Sequence, residues 1–173
     1  QAARPDAILY STVAGGKTAE ERFGHYRALA QAGMDMGAFD PGSVNLATHG
    51  EDGLPGKAQF VYSTTFRDIA FLVDLLAENG LGPSIAVYEP GFLRATLAYH
   101  KAGRLPAGAF VKFYFGGPYN MIDGQLSPVT FGLPPTEKAL DAYLEMMEGC
   151  DLPWAVTVLG GDVTELGLAR LAI

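Results

Sequence analysis

The chain has 173 residues, of which 49% are hydrophobic and 18% charged, and its formal net charge is -7. That composition suits one folded domain with its own core and excludes a disordered chain. The acidic balance, with no Lys/Arg cluster to offset it, argues against nucleic acid and anionic membranes as partners.

Cys150 is the single cysteine, so neither an internal disulfide nor a Cys-rich zinc cluster is open to the chain. A buried structural thiol and a cytoplasmic location are expected. No apolar run reaches the ~18 residues of a membrane span. The opening stretch "QAARPDAILY" lacks the basic segment and cleavage site of a signal peptide. With no initiator Met, and a helix pattern running uncapped to Ile173, the chain is expected to be an internal piece of a longer one.

In chain order, short apolar runs are expected as strands at residues 7–11, 36–39, 85–88, 110–115 and 154–159. They lack clean alternation, which suits parallel strands buried on both faces. Helix patterns follow each of them. Thr18 and Glu21 form a capping box, and Phe23, Tyr26 and Ala30 share a face before Gly33. Ile69, Leu72, Val73 and Leu76 mark the second helix, ending at Asn79-Gly80, and Leu93, Leu97 and His100 the third. Thr136 starts the fourth, with Leu140, Tyr143, Leu144 and Met147 on its face; the fifth is expected from Asp162 to the chain end. Long connections span residues 42–65 and 116–135, and long βα loops are where function concentrates.

Strict β-α alternation leaves a doubly wound sheet or a barrel. The glycine fingerprint of a dinucleotide fold is missing after the first strand. A complete barrel needs eight units. The expected fold is therefore α/β of the (β/α)8 TIM-barrel type, incomplete, with about five βα units forming one partial barrel domain over residues 1–173.

The stretch "LYSTVAGGKTAEER" poses a phosphate-binding question, because Gly16, Lys17 and Thr18 end a P-loop pattern. The first glycine of that pattern falls at Ser11, which breaks it. Glycines stand beside hydroxyl, amide or carboxylate groups at every strand end, where they let the backbone approach a ligand, though turns also need glycine. Ser11 and Thr12 could bind a substrate carboxylate or satisfy their turn, and Ser43 and Asn45 likewise. Glu89 could act as a base, or simply favour the dipole of the helix that follows. His25 and His100 fall within helix patterns and His49 lies in a loop beside Glu51 and Asp52. They contain no His-x-His or His-Glu-x-x-His, so no convincing zinc site is expected in this chain.

These segments together resemble the β-keto acid cleavage enzymes, the family of 3-keto-5-aminohexanoate cleavage enzyme. The resemblance runs through "YSTVAGGKTAEER", "MDMGAFDPGSVNL", "VYSTTFRDIAFLVDLLAENGL", "VYEPGFLRATLAYHKAGRLP" and "WAVTVLGG". It implies a (β/α)8 barrel, zinc or another divalent metal, and cleavage of a β-keto acid with acetyl-CoA to acetoacetate and an acyl-CoA. It also implies a homo-oligomer. On this reading the five strands are the third to seventh, and the metal ligands lie outside the chain. Glu89 stands where the family usually has Asp, Phe92 where it has His, and Ser84 and Ala86 where it tends to have carboxylates. Matching positions make Ser11 and Ser43 substrate-contacting hydroxyls, Gly15, Gly16 and Asn45 pocket residues, and Glu89 a pocket candidate. Two rivals remain open: a phosphate-binding aldolase or isomerase using Gly160-Gly161, with Lys112 as a Schiff-base amine, and a non-catalytic ligand-binding protein.

Overall fold

The computed structural model describes residues 6–57, 60–120 and 124–173. Four parallel strands form the sheet: β1 (Met36–Phe39), then, after a separate two-strand hairpin, β4 (Gly82–Val87), β5 (Phe110–Gly116) and β6 (Trp154–Leu159). The hairpin pairs β2 (Val44–Asn45) with β3 (Val61–Tyr62), antiparallel, inside the long connection after β1. The sheet order is β1-β4-β5-β6, so neighbours in space follow chain order. Register runs across it as Ala38 beside Ser84, Ala86 beside Lys112, and Lys112 beside Ala155. With no reversal of order among the described strands, there is no switch-point crevice of the doubly wound kind.

Residues 7–11 do not form a full strand. Tyr10 makes a single parallel bridge to Met36 at the free edge of β1, while Ile8 and Tyr10 remain 69% and 57% exposed. The ladder stops there, the next outward N–H, that of Ala38, donating to the Ser11 side chain and not to a backbone carbonyl.

The helices are α1 (Ala19–Phe23), α2 (Tyr26–Gln31), α3 (Phe66–Glu78), α4 (Pro90–Lys101), α5 (Glu137–Met146) and α6 (Leu168–Leu171). Thr18 and Glu21 close the expected capping box, and Thr65 with Asp68 makes a second at α3. The first helix pattern divides at Gly24 and His25, yet Phe23 and Tyr26 are both buried. The helix expected from Asp162 is shortened to four residues. Asp162 still caps the turn, its Oδ1 accepting from the backbone of Thr164 and Glu165, but Gly167 takes a left-handed φ of 81° that interrupts the run.

The core lies between one sheet face and the helices. Phe39, Ile85, Val87, Val111, Phe113 and Phe115 point into it, against Leu72, Leu76, Leu93, Leu140 and Tyr143. The expectation of strands buried on both faces holds for β4, whose six residues are all buried. It fails for β5, which alternates: Val111, Phe113 and Phe115 are buried, Lys112 and Tyr114 only partly so. The alternation sends a lysine and a tyrosine to the face away from the helices. Among the described residues, no helix is long and apolar enough to cross a membrane.

Candidate active site

The side of the sheet away from the helices carries, in register, Ala38 and Asp40 at the end of β1, Ala86 and Tyr88 at the end of β4, and Lys112 and Tyr114 on β5. Parity along each strand puts them there, since side chains two apart share a face. With Tyr10, Ser11, Thr12 and Tyr62 they enclose a cavity of about 290 Å³ at the carboxyl ends of the strands. Small alanines at 38 and 86 leave the space, and the longer side chains surround it.

Asp40 is only 8% exposed. Its Oδ2 accepts a 2.6 Å hydrogen bond from the Tyr62 hydroxyl. Burial raises its carboxyl above the ordinary value of 3.8, although Tyr62 and the Lys112 and Arg22 charges pull the other way. Lys112 is half-buried, and its Nζ lies 4.7 Å from the Tyr10 ring centre and 5.7 Å from that of Tyr114. Among the described residues Nζ makes no hydrogen bond or ion pair. Burial lowers its ammonium below the ordinary lysine value, against the opposing Asp40 charge. Burial also pushes Tyr114 up to about 12 and Tyr88 higher still, so both hydroxyls stay protonated and can donate.

The raised Asp40 carboxyl has a consequence for stability. Above pH 3.8 an unfolded Asp40 has given up its proton while the folded one still holds it. Its contribution is therefore present in full below that value and is lost as pH rises through the native one. Asp40→Asn retains an acceptor for Tyr62 and has no such term. Urea midpoints should show the variant gaining on wild type as pH rises above about 4; a constant difference would mean that burial does not perturb Asp40.

The residues singled out by sequence fall into three places. Ser11 and Thr12 line the inner cavity. Ser11 is buried and accepts from the Ala38 backbone at 3.4 Å, while the Tyr26 hydroxyl donates to the Ala38 carbonyl. The Thr12 carbonyl is fixed by His25 Nε2 at 3.1 Å, while its exposed hydroxyl has no partner among the described residues. Gly15 and Gly16 line an adjoining outer cavity of about 500 Å³ with Lys17, Arg22 and Phe60, which meets the inner one at Val13 and Tyr62. Ser43 and Glu89 line a third, of about 420 Å³. Ser43 is bonded both ways to the Thr64 backbone, and Glu89 Oε1 accepts from Gly132 at 3.0 Å. Asn45 is exposed on β2, beside Val61, and outside these cavities.

Sequence reading passed over Asp40, Tyr62, Tyr88 and Arg22 as site residues and noted Lys112 only for a rival. In "MGAFD" and "FVKFYF", Asp40 shares parity with Met36 and Ala38 and Lys112 with Phe110 and Tyr114, so parity in the sequence alone does not separate the polar face from the apolar one. The phosphate-binding rival loses support at residues 160–165. There the Thr164 and Glu165 N–H groups bond Asp162, and the Gly160 carbonyl accepts from Tyr119.

The donor set does not fit a divalent metal. Among the described residues no three His, Cys, Asp or Glu side chains come together. His25 is spent on Thr12, and His100 lies beside the exposed Asp151 on the helix side. The inner cavity offers one carboxylate, and it is already bonded to Tyr62.

The family model described as beta-keto acid cleavage enzyme matches residues 1–173, the whole chain. No curated protein matches it.

Proposed function

We propose, from the premise that the chain belongs to the beta-keto acid cleavage enzyme family, that the protein carrying it exchanges acyl groups between a β-keto acid and acetyl-CoA. The products are acetoacetate and a new acyl-CoA. The bond between the keto carbon and C2 breaks, C2 joins the acetyl carbonyl carbon, and the CoA sulfur passes to the released acyl group. The observation that carries this reading is the convergence of Lys112, Asp40 and unspent hydroxyls in one cavity at the strand ends.

In this reading the Lys112 ammonium draws the anionic keto acid into the inner cavity, and Ser11 and Thr12 hold its carboxylate. The Tyr88 and Tyr114 hydroxyls donate to oxygens on which charge develops. Gly15, Gly16 and the cations Lys17 and Arg22 leave room in the outer cavity for the CoA arm. Ser43 and Glu89, which line the third cavity, and Asn45, outside all three, take no step in this reading. The chain-order sequence of parallel strands supports the wall of an incomplete (β/α)8 barrel, the third to seventh units, built as one domain. Members of the family are generally metal-dependent. Because the donors here do not fit, zinc or another divalent ion is assigned to segments outside these 173 residues, which alone are expected to be inactive. A cytoplasmic homo-oligomer, without nucleic-acid or membrane partners, completes the proposal.

The test is to incubate the protein that carries this chain with carbonyl-labelled acetyl-CoA and a panel of β-keto acids. Label should enter acetoacetate as an acyl-CoA appears; no transfer with any β-keto acid would defeat the reading. In the same assay Ser11→Ala and Thr12→Val should each lower kcat/KM about 10-fold or more, the loss expected for a hydrogen bond to a charged group. Unchanged kinetics in both would remove them from the site.

A further inference from the structure

Lys112 stands apart from the other lysines. The chain has five, and Lys17, Lys57, Lys101 and Lys138 are exposed, whereas Lys112 is half-buried. An ordinary half-buried ammonium finds a carboxylate or a carbonyl within bonding distance. Here Nζ has neither among the described residues and faces only the rings of Tyr10 and Tyr114. Asp40 lies in the same cavity but keeps its hydrogen bond for Tyr62. An amine held in a small cavity, without a committed counterion and ringed by hydroxyl proton donors, is arranged as a nucleophile.

We infer that Lys112 is a covalent carbonyl site, forming an imine with the keto carbon of small β-oxo acids and releasing CO2 from them without acetyl-CoA. The choice of β-oxo acids rests on the reaction proposed above; the amine chemistry does not. The Nζ lone pair attacks the keto carbon, and the carbonyl oxygen takes up a proton to give a carbinolamine. That oxygen leaves as water, and the C–N bond becomes an iminium. The bond from C2 to the carboxylate then breaks. CO2 departs, and the bonding pair moves through C2 to the iminium nitrogen, leaving an enamine. A proton returns to C2, and water cleaves the C–N bond, restoring the free amine and yielding a ketone. No electron donor or acceptor is consumed. Asp40, Tyr62, Tyr88 and Tyr114 line the cavity in which these protons move. The depression of the Lys112 ammonium by burial enlarges the share of free amine at neutral pH.

The probe is acetoacetate, added with cyanoborohydride and no acetyl-CoA to the protein that carries this chain. Peptide mass mapping should place the reduced adduct on Lys112 ahead of the four exposed lysines, and CO2 release should fall to background in Lys112→Arg and Lys112→Gln. The wild-type map needs no variant to fold. Absence of the Lys112 adduct, labelling spread equally over all lysines, or CO2 release that survives in both variants overturns the inference. Acyl exchange with acetyl-CoA, measured in parallel, separates the two readings. Exchange without a Lys112 adduct defeats the imine and leaves the family reaction standing. An adduct with Lys112-dependent CO2 release but no exchange supports the imine and defeats the exchange.

Discussion

Replacing Phe113 by alanine should lower the unfolding free energy by about 3–5 kcal/mol, the range for deleting a buried phenyl ring. Phe113 is fully buried in the middle of β5. Its ring stacks on Tyr143 of α5 with centres 4.8 Å apart and planes 5° from parallel, and it leans on Trp154 of β6 at 5.9 Å. It therefore ties a central strand to its covering helix and to the next strand, and such ring pairs contribute beyond their buried area. The neighbouring elements are pinned by the sheet ladder and cannot close on the cavity left behind. Against a typical total of ~5–15 kcal/mol for a domain, the loss is large. It should appear as a lower urea midpoint with the slope unchanged. A loss below about 1 kcal/mol would mean that this layer is not close-packed.

Local signals explain why some elements could be read in advance. The α3 pattern of Ile69, Leu72, Val73 and Leu76 is buried as its 3.6-residue period requires, and Thr18, Thr136 and Asp162 each accept a backbone hydrogen bond at the expected turn. These features depend on residues two to four apart. The outer end of the sheet departs from expectation because the Ala38 N–H, which would extend the ladder, goes to the Ser11 side chain, a contact between residues 27 apart. The site was only half legible for a related reason. Ser11 and Thr12 adjoin a conspicuous glycine pair, but Asp40, Tyr62 and Lys112 are far apart in sequence and meet only through sheet register and the β2–β3 hairpin. The "FVKFYF" run looked apolar as a whole, and its strict alternation became meaningful only once one face was known to be covered by helices. Glu89, expected as a base or a helix-dipole charge, instead accepts from the Gly132 backbone, supplied by a loop more than forty residues away.

The second large effect is expected at Arg22, which sequence reading treated only as part of a helix start. Its guanidinium donates to the Ser63 carbonyl and to Thr64 Oγ1. It also lies over the rings of Phe23 and Tyr62, 4.7 and 5.6 Å from their centres. The hairpin it grips has two residues per strand, too few to persist without outside support. Tyr62 at its end carries the 2.6 Å hydrogen bond to Asp40. Arg22 thus controls the wall of the inner cavity from outside it. In Arg22→Ala, kcat/KM for acyl exchange should fall about 100-fold, the effect of displacing a reacting group by about an ångström. Global stability should fall by only ~1–2 kcal/mol, since the lost bonds lie at the rim of the core. Amide exchange should quicken at Val61–Tyr62 and leave α3 and β5 unchanged. Lys at position 22 should restore little, because one ammonium cannot span two acceptors and cover two rings as the planar guanidinium does. If Lys proves equivalent to Arg, or if hairpin exchange does not change, the hairpin is held by the Ser43–Thr64 bonds instead, and the cavity wall is independent of α1.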